Sequence, residues 1–300
     1  MLKKKINLLW TGGWDSTFRL CQLSRMHNVK VQPIYIIHPH RKSAIYECKA
    51  QEKILKTLQK KKETKAFILP VKYINVENII IPANISEAFA RLRQQYPIGG
   101  QYEFLAAYAA NCPGLELGEE HYYSRPGNLY TIFNAAGGLK FDKNNNGYLE
   151  DDGQHPDIYT IFGNFRYPIA HLKETEMEAI IKKWHYEDVM QHIWICATPD
   201  NKGNSCGVCV PCQIKMRAAM GHLLSAEARN NYKIYDYIKN KYGSNLAQDY
   251  VSYINTRFKL PLAFFDAIER KGRLSNSIKR NRDMLVDKIN FFENLKEEFV

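Results

Sequence analysis

Two stretches of this 300-residue chain combine residue types and spacings that can do chemistry. The first is Cys196-Ala-Thr-Pro-Asp-Asn-Lys-Gly-Asn-Ser-Cys206-Gly-Val-Cys209-Val-Pro-Cys212. Two Cys-x2-Cys steps sharing Cys209 bring three sulfurs within reach of one ion. Gly207 permits the tight turn, and Cys196 can fold back as the fourth ligand. Four thiolates so spaced suit tetrahedral Zn2+. An iron–sulfur cluster takes the same ligands, and visible absorption would separate the two. Buried cysteines holding no metal are the plain alternative. The other three, Cys21, Cys48 and Cys112, are scattered and read as small apolar fillers. Seven cysteines, with four crowded together, argue for a metal site over a disulfide framework, and so for a reducing, cytoplasmic setting.

The second stretch is Leu8-Leu-Trp10-Thr11-Gly12-Gly13-Trp-Asp15-Ser16-Thr17-Phe18, set between an apolar run and a helical pattern. Gly12 and Gly13 let backbone approach a ligand closely and adopt positive φ. Ser16 and Thr17 offer hydroxyls and amides at a helix N-terminus, where the macrodipole favours anions. Asp15 can cap that helix or orient Mg2+ on a phosphate. Walker A and dinucleotide-binding loops need other spacings. A capped glycine turn without a ligand is the bland reading, but Gly-Gly-x-Asp-Ser arises by chance in well under ~1% of chains this long.

The elements that would hold these groups alternate. Ile6–Trp10, Val31–Ile37 and Lys65–Val71 read as strands, with helices at Asp15–His27 and Ser43–Lys62 between them. That rhythm predicts an α/β fold with a doubly wound parallel sheet. Helices are expected at Ile85–Tyr96 and Tyr102–Ala110, and a fourth strand at Leu115–Gly118. Residues 119–160, rich in Gly, Asn and Asp around runs such as Leu129–Phe133 and Asp157–Phe162, predict an irregular insertion with a hairpin. Arg166–Ala170 returns to the sheet and Lys173–Trp184 is a helix. From Cys212 to Val300 the pattern is helical, with breaks near Gly243 and Pro261. His38-Pro-His40-Arg41-Lys42 follows the second strand, where the nucleotide crevice of such a sheet opens, so His40 and Arg41 are candidate phosphate contacts.

Composition narrows the classes. A hydrophobic share of 45% and a charged share of 24% are globular values. No apolar run reaches the ~20 residues of a membrane span, and the five-residue apolar stretch after Met1 is too short for a secretory signal. The net charge is +11, and all of it lies in residues 1–65, which hold 15 basic and 4 acidic side chains. A uniformly basic nucleic-acid coat is therefore excluded in favour of an N-terminal segment that faces something anionic.

The Gly12–Ser16 loop resembles the Ser-Gly-Gly-x-Asp-Ser pyrophosphatase loop (PP-loop) of ATP-dependent adenylating enzymes, with Thr11 in place of the first Ser. Together with the cysteine segment and Arg166-Tyr-Pro-Ile-Ala-His-Leu-Lys173-Glu-Thr-Glu, it is similar to the 7-cyano-7-deazaguanine synthases. The likeness covers about residues 5–217 and is strongest at 8–18 and 166–217. It implies an adenylating domain over 1–217, carrying the 119–160 insertion and a zinc segment at 196–212, with a helical extension at 218–300. It also implies a Rossmann-like sheet and ATP, Mg2+ and Zn2+ as cofactors. A 7-deazapurine-like carboxylate would be activated with release of pyrophosphate, for attack by ammonia or an amine. Asp15, Ser16 and Lys173 would be catalytic, Lys173 steadying phosphate charge or else standing as a solvated helix-start lysine. Trp10, Thr11, Gly12, Gly13 and Thr17 would line the nucleotide.

The chain departs from that family in places that bear on the acceptor. Gly99-Gly100-Gln101 replaces Gly-Arg-Asn, and Gly118-Glu-Glu-His-Tyr-Tyr-Ser-Arg125 replaces the stretch that shapes the base pocket. Polar pockets discriminate strongly, so these changes predict altered specificity. The acceptor is then ammonia, a protein (a defence-type conjugation) or a tRNA, as in thiolating enzymes of the same superfamily. A nucleotide-sensing protein without turnover is the non-enzymatic reading, and a homodimer is a further expectation. Asp142-x-Asn144-x-Asn146-Gly147 resembles half a calcium loop, but Gly153 stands where its closing Glu belongs, so a turn is expected. Tyr232, Tyr235, Tyr237 and Tyr242 among lysines suggest helix packing before RNA stacking.

Overall fold

The computed structural model describes residues 4–120, 129–200, 203–255 and 276–299, with three more at 262, 263 and 267. The chain packs as two compact units, Met1–Trp194 and Ile195–Val300, so the cysteine segment belongs with the C-terminal helices.

In the first unit β1 (Lys4–Leu9) leads into α1 (Trp14–Ser24), then β2 (Val29–Ile37) into α2 (Ala44–Lys60). β3 (Phe67–Ile68) and β4 (Lys72–Asn75) both pair with β2. Helices α3 (Ala83–Gln95) and α4 (Gln101–Ala110) then precede β5 (Leu115–Glu116). Next come α5 (Leu129–Ala135), β6 (Lys140–Phe141), β7 (Gly147–Tyr148), α6 (Pro156–Phe162) and β8 (Phe165–Arg166). The unit closes with α7 (Glu174–Trp184) and α8 (Glu187–Met190).

The main sheet is parallel throughout, in the order β3-β2-β1-β5-β8. β1 has β2 on one side, in register from Lys4↔Val29 to Leu9↔Ile34, and β5 on the other at Leu8↔Glu116. The chain thus winds outward in both directions from β1, and a crevice opens at the carboxyl ends where the order reverses. Leu9, Ile34 and Ile36 pack into one core with Ile85, Phe89 and Phe162 from α3 and α6. α1 lies with α7 and α8, where Phe18 stacks on Trp184 at 6.1 Å between ring centroids. The expected α/β class with a parallel sheet is therefore present.

Three sequence expectations change. The strand expected at 65–71 is broken at Pro70, which has no N–H to give the ladder; its carbonyl instead accepts from Gln32 Nε2 at 2.9 Å. The 119–160 stretch does contain the hairpin, β6 with β7, but its apolar runs are helices of the core. Ile158, Ile161 and Phe162 fall at helical spacing and are buried, as are Ile132 and Phe133. The basic helix ends at Lys60, and Lys61 is tied down: its Nζ donates to the His185 carbonyl at 2.7 Å and pairs with Asp188 at 2.8 Å. Asp142 caps the β6–β7 turn by accepting from the amides of Asn144 and Asn146, so the turn reading of that motif holds.

In the second unit, α9 (Val210–Arg217) starts after Cys209 and carries Cys212, then come α10 (Ala226–Tyr242), α11 (Ser244–Ile254) and α12 (Asn276–Glu298). Gly243, at φ +92°, makes the expected break between α10 and α11, whereas Pro261 lies outside the described residues. Tyr237 and Tyr242 pack on Phe299 and Phe291, which agrees with helix packing. Among the described residues, no helix is long and apolar enough to cross a membrane.

Candidate functional site: a cavity at the glycine loop and a cysteine knot

Strand β1 delivers the glycine loop to the crevice. Trp10, fully buried, hands its indole N–H to Thr17 Oγ1 at 3.0 Å, while its carbonyl accepts from Gln51 Nε2 at 2.7 Å. Gly12 turns the chain at φ +78°; a Cβ there would meet Gln51 Cγ and the Glu47 carbonyl at 3.2 Å. Gly13 sits at φ −80°, ψ 178°, ordinary extended backbone, so only Gly12 needs the left-handed region. Thr11 is exposed, and its hydroxyl accepts from the Gly13 amide at 3.3 Å.

Beyond the turn, α1 begins with Trp14, Asp15 and Ser16. The first amides of a helix have no internal carbonyl partners and point outward. Ser16 Oγ is buried and makes no hydrogen bond to a described residue. Gly118, just past β5, abuts this helix start: a Cβ on it would lie 2.9 Å from the Ser16 nitrogen. The approach is held by a two-pronged pair from Arg19 on α1 to Glu116 on β5, at 2.8 Å for each prong.

A cavity of about 290 Å3 opens there. Its floor and loop side are Trp10, Thr11, Gly13, Asp15 and Ser16; its walls include Ile34, Tyr35 and Ile36 of β2 and His38 and Arg41 just after it, with Gln101, Tyr102, Phe104 and Leu105 of α4. Apolar walls with a few converging polar groups are the usual form of a small-molecule site. Thr17 is near but not part of it, since its amide bonds to the Gly13 carbonyl and its hydroxyl to Trp10. His40 is exposed; its neighbour His38 lines the cavity instead. Arg41 lines the wall while gripping the buried Glu47 through Nε and Nη2 at 2.7–3.0 Å. Lys173 is an exposed residue at the start of α7, outside the cavity lining.

One carboxylate oxygen each from Asp15, Glu120 and Glu174 lie within 4.8 Å of one another, an arrangement able to hold a cation. Glu119 stands beside them. Burial first, and then the Asp15 charge, push its carboxyl up to about 8. The Gly118-Glu119-Glu120 stretch was legible as pocket-forming, but Glu120 and Glu174 were not named beside Asp15, because the segment after β5 and the helix α7 that carry them meet Asp15 only in the fold. Residues 121–128, which complete the sequence stretch after Gly118, lie outside the described residues.

In the second unit the four cysteines do converge. Cys196, Cys206, Cys209 and Cys212 are buried, and all four sulfurs lie within 4.8 Å of one another. The amide of Cys206 donates to Cys196 Sγ and that of Cys209 to Cys206 Sγ, both at 3.2 Å, which steadies negative charge on sulfur. Gly207, at φ +79°, is required twice over: its conformation is left-handed, and a Cβ would fall 2.0 Å from the Ala228 carbonyl oxygen. Asn231 of α10 donates to the Cys206 carbonyl at 3.1 Å and fastens the turn. The cluster is able to bind a metal ion. Of the scattered cysteines, Cys21 is buried and Cys48 and Cys112 are half-buried.

Compared with known proteins, the sequence matches no family model and no curated protein.

Proposed function

We propose that the protein is an ATP-dependent adenylating ligase that activates a small carboxylic acid and passes the acyl group to ammonia or an amine. The observation that carries this reading is the Gly12–Ser16 loop. It lies at the carboxyl end of β1, where the strand order reverses, and opens into a cavity with a buried hydroxyl that has no hydrogen-bond partner among the described residues. The helix N-terminus and Ser16 would receive the phosphates. The nucleotide ring would lie against Ile34, Ile36 and Leu105.

In the reaction, a carboxylate oxygen attacks the α-phosphorus and pyrophosphate leaves. The amine then adds to the acyl carbon, AMP departs with the C–O bonding pair, and the amine gives up a proton. Thr11, Gly13 and Ser16 orient the phosphates, and closure of the apolar walls would exclude water from the acyl adenylate. Asp15, Glu120 and Glu174 would hold Mg2+, which when bound offsets repulsion between their charges and the phosphates. Gln101 in the wall favours a substrate acid that pairs with an amide, in keeping with a 7-deazapurine-like carboxylate in an altered pocket.

In the second unit the four buried thiols fit Zn2+: a tetrahedral ion with bonds of about 2.3 Å needs sulfurs about 3.8 Å apart, and Cys196 and Cys209 sulfurs are 3.9 Å apart. A closed four-sulfur shell leaves no position for substrate, so its role would be structural.

Pyrophosphate release from ATP with candidate carboxylates and ammonium tests the reading. Asp15→Ala is expected to lower that release by roughly a hundredfold. ATP that neither binds nor turns over on the wild-type protein would overturn it. Metal analysis of the purified protein should return one zinc per chain without visible absorption.

A further inference from the structure

Glu47 is buried on the first turn of α2, behind the Tyr35 and Arg41 side of the cavity lining. Both its oxygens are saturated. Arg41 donates from Nε and Nη2, Ser43 Oγ donates at 2.9 Å, and the Tyr35 hydroxyl donates as well. Four donors on one carboxylate hold it without slack, and a fork-to-fork pair fixes the guanidinium plane as a single lysine contact could not. Arg41 itself is only partly covered, with 42% of its side chain accessible, and its Nη1 edge is not used by Glu47.

The same face of α2, one turn on, carries Gln51. Its amide holds the Trp10 carbonyl, and its Cγ packs under Gly12. One rigid helix therefore sets both the glycine loop and Arg41 about the same cavity. Replacing a buried ion pair with apolar groups is often neutral or stabilising, so stability alone is a weak reason to keep one here.

We propose that Glu47 is a positioning residue, holding the Arg41 guanidinium so that its Nη1 edge meets a phosphate oxyanion of the nucleotide bound at the glycine loop. This rests on the adenylating reading of the cavity. Glu47 does not touch the ligand; it acts through Arg41.

Calorimetric binding of ATP, inorganic pyrophosphate and adenosine to the full-length protein tests the assignment. Glu47→Gln preserves volume but removes the charge that grips the fork, and is expected to weaken ATP and pyrophosphate roughly tenfold, as one charge-assisted hydrogen bond would. Adenosine, which has no phosphate, should bind as to the wild type. In an Arg41→Ala background, Glu47→Gln should change ATP affinity by less than about twofold, because the two residues act as one unit. A merely structural Glu47 would instead weaken adenosine equally and add its effect to that of Arg41→Ala; either result overturns the proposal. If Glu47→Gln does not fold, Arg41→Lys keeps the charge without the fork and should lose ATP by roughly the same factor. Wild-type-like ATP binding by Arg41→Lys overturns the proposal. Wild-type protein that binds neither ATP nor pyrophosphate overturns the adenylating reading and this inference together, whereas normal wild-type binding with an unaffected Glu47→Gln overturns this inference alone.

Discussion

The glycine-loop cavity and the cysteine knot use similar local devices to opposite ends. A left-handed glycine makes a close approach possible in each, Gly12 or Gly207, and at the knot backbone amides are aimed at the sulfurs. At the knot, the four sulfurs lie within 4.8 Å of one another, Cys206 Sγ accepts the Cys209 amide and lies 3.4 Å from the Thr198 hydroxyl, and Gly207 is locked against the Ala228 carbonyl. At the loop, the hydroxyl of Ser16 and an edge of Arg41 are left with bonding capacity toward open space. A site whose polar groups are all satisfied internally keeps what it holds; one with capacity to spare binds and releases.

The largest effect that would break this comparison lies at the knot. Structural zinc contributes on the order of 10 kcal/mol in small peptides, as much as a whole domain's stability margin. Cys212→Ser, or a strong chelator, should therefore remove the metal and much of the helical signal of Ile195–Val300 in far-UV circular dichroism. A variant that keeps both its metal-free state and wild-type helicity would show that the ion is dispensable.

The two glycines give the next contrast. Gly207→Ala should cost roughly 3–5 kcal/mol, since a backbone oxygen blocks the new methyl and cannot yield. Gly12→Ala should cost about 1–3 kcal/mol, from left-handed strain and a 3.2 Å contact that Gln51 can relieve in part. Urea unfolding measures both. Trp10, Trp14, Trp184 and Trp194 all fall within Met1–Trp194, so tryptophan fluorescence follows the loop variant and circular dichroism the knot variant. Equal costs would erase the distinction between the sites.

The smallest effect concerns Glu119. Folded, its carboxyl holds a proton up to about 8, whereas an ordinary glutamate releases it near 4.5. The folded state therefore binds more protons across that window, and stability falls as pH rises through it. Glu119→Gln should flatten that slope and be more stable than the wild type above pH 8, by roughly 1–3 kcal/mol. An unchanged slope in tryptophan-monitored unfolding would mean that the carboxyl is solvated.

Much of this was legible in the residues because it is local. A loop between an apolar run and a helix, two Cys-x2-Cys steps, a glycine break at 243 and an Asx-capped turn at 142–147 each depend on neighbours a few positions away. The strand–helix alternation likewise predicted the α/β class, the short apolar run before the glycines became β1, and the stiff Val- and Ile-rich run became β2. Less was legible where partners lie far apart in the chain. Composition made 119–160 look like loop, yet burial of Ile158 and Phe162 against α3 and α4 overrode it. Arg41 could be named as a phosphate candidate, but not Glu47 as its holder, because a carboxylate on a lysine-rich helix reads as solvated until Tyr35 is packed over it. Lys173 stands at an exposed helix start outside the cavity lining, while its neighbour Glu174 reaches Asp15, a distance no local motif records.

Sequence alone determined which residues have the chemistry to bind phosphate and metal, since ligand type and short spacing are properties of a local segment. Only the tertiary structure decided which of them share a site. Strand order brings Gly118 against Ser16, and helix packing sets Glu47 on Arg41 and Gln51 on the Trp10 carbonyl, behind the lining of one cavity; those distances follow from how buried faces fit together, which no short segment encodes.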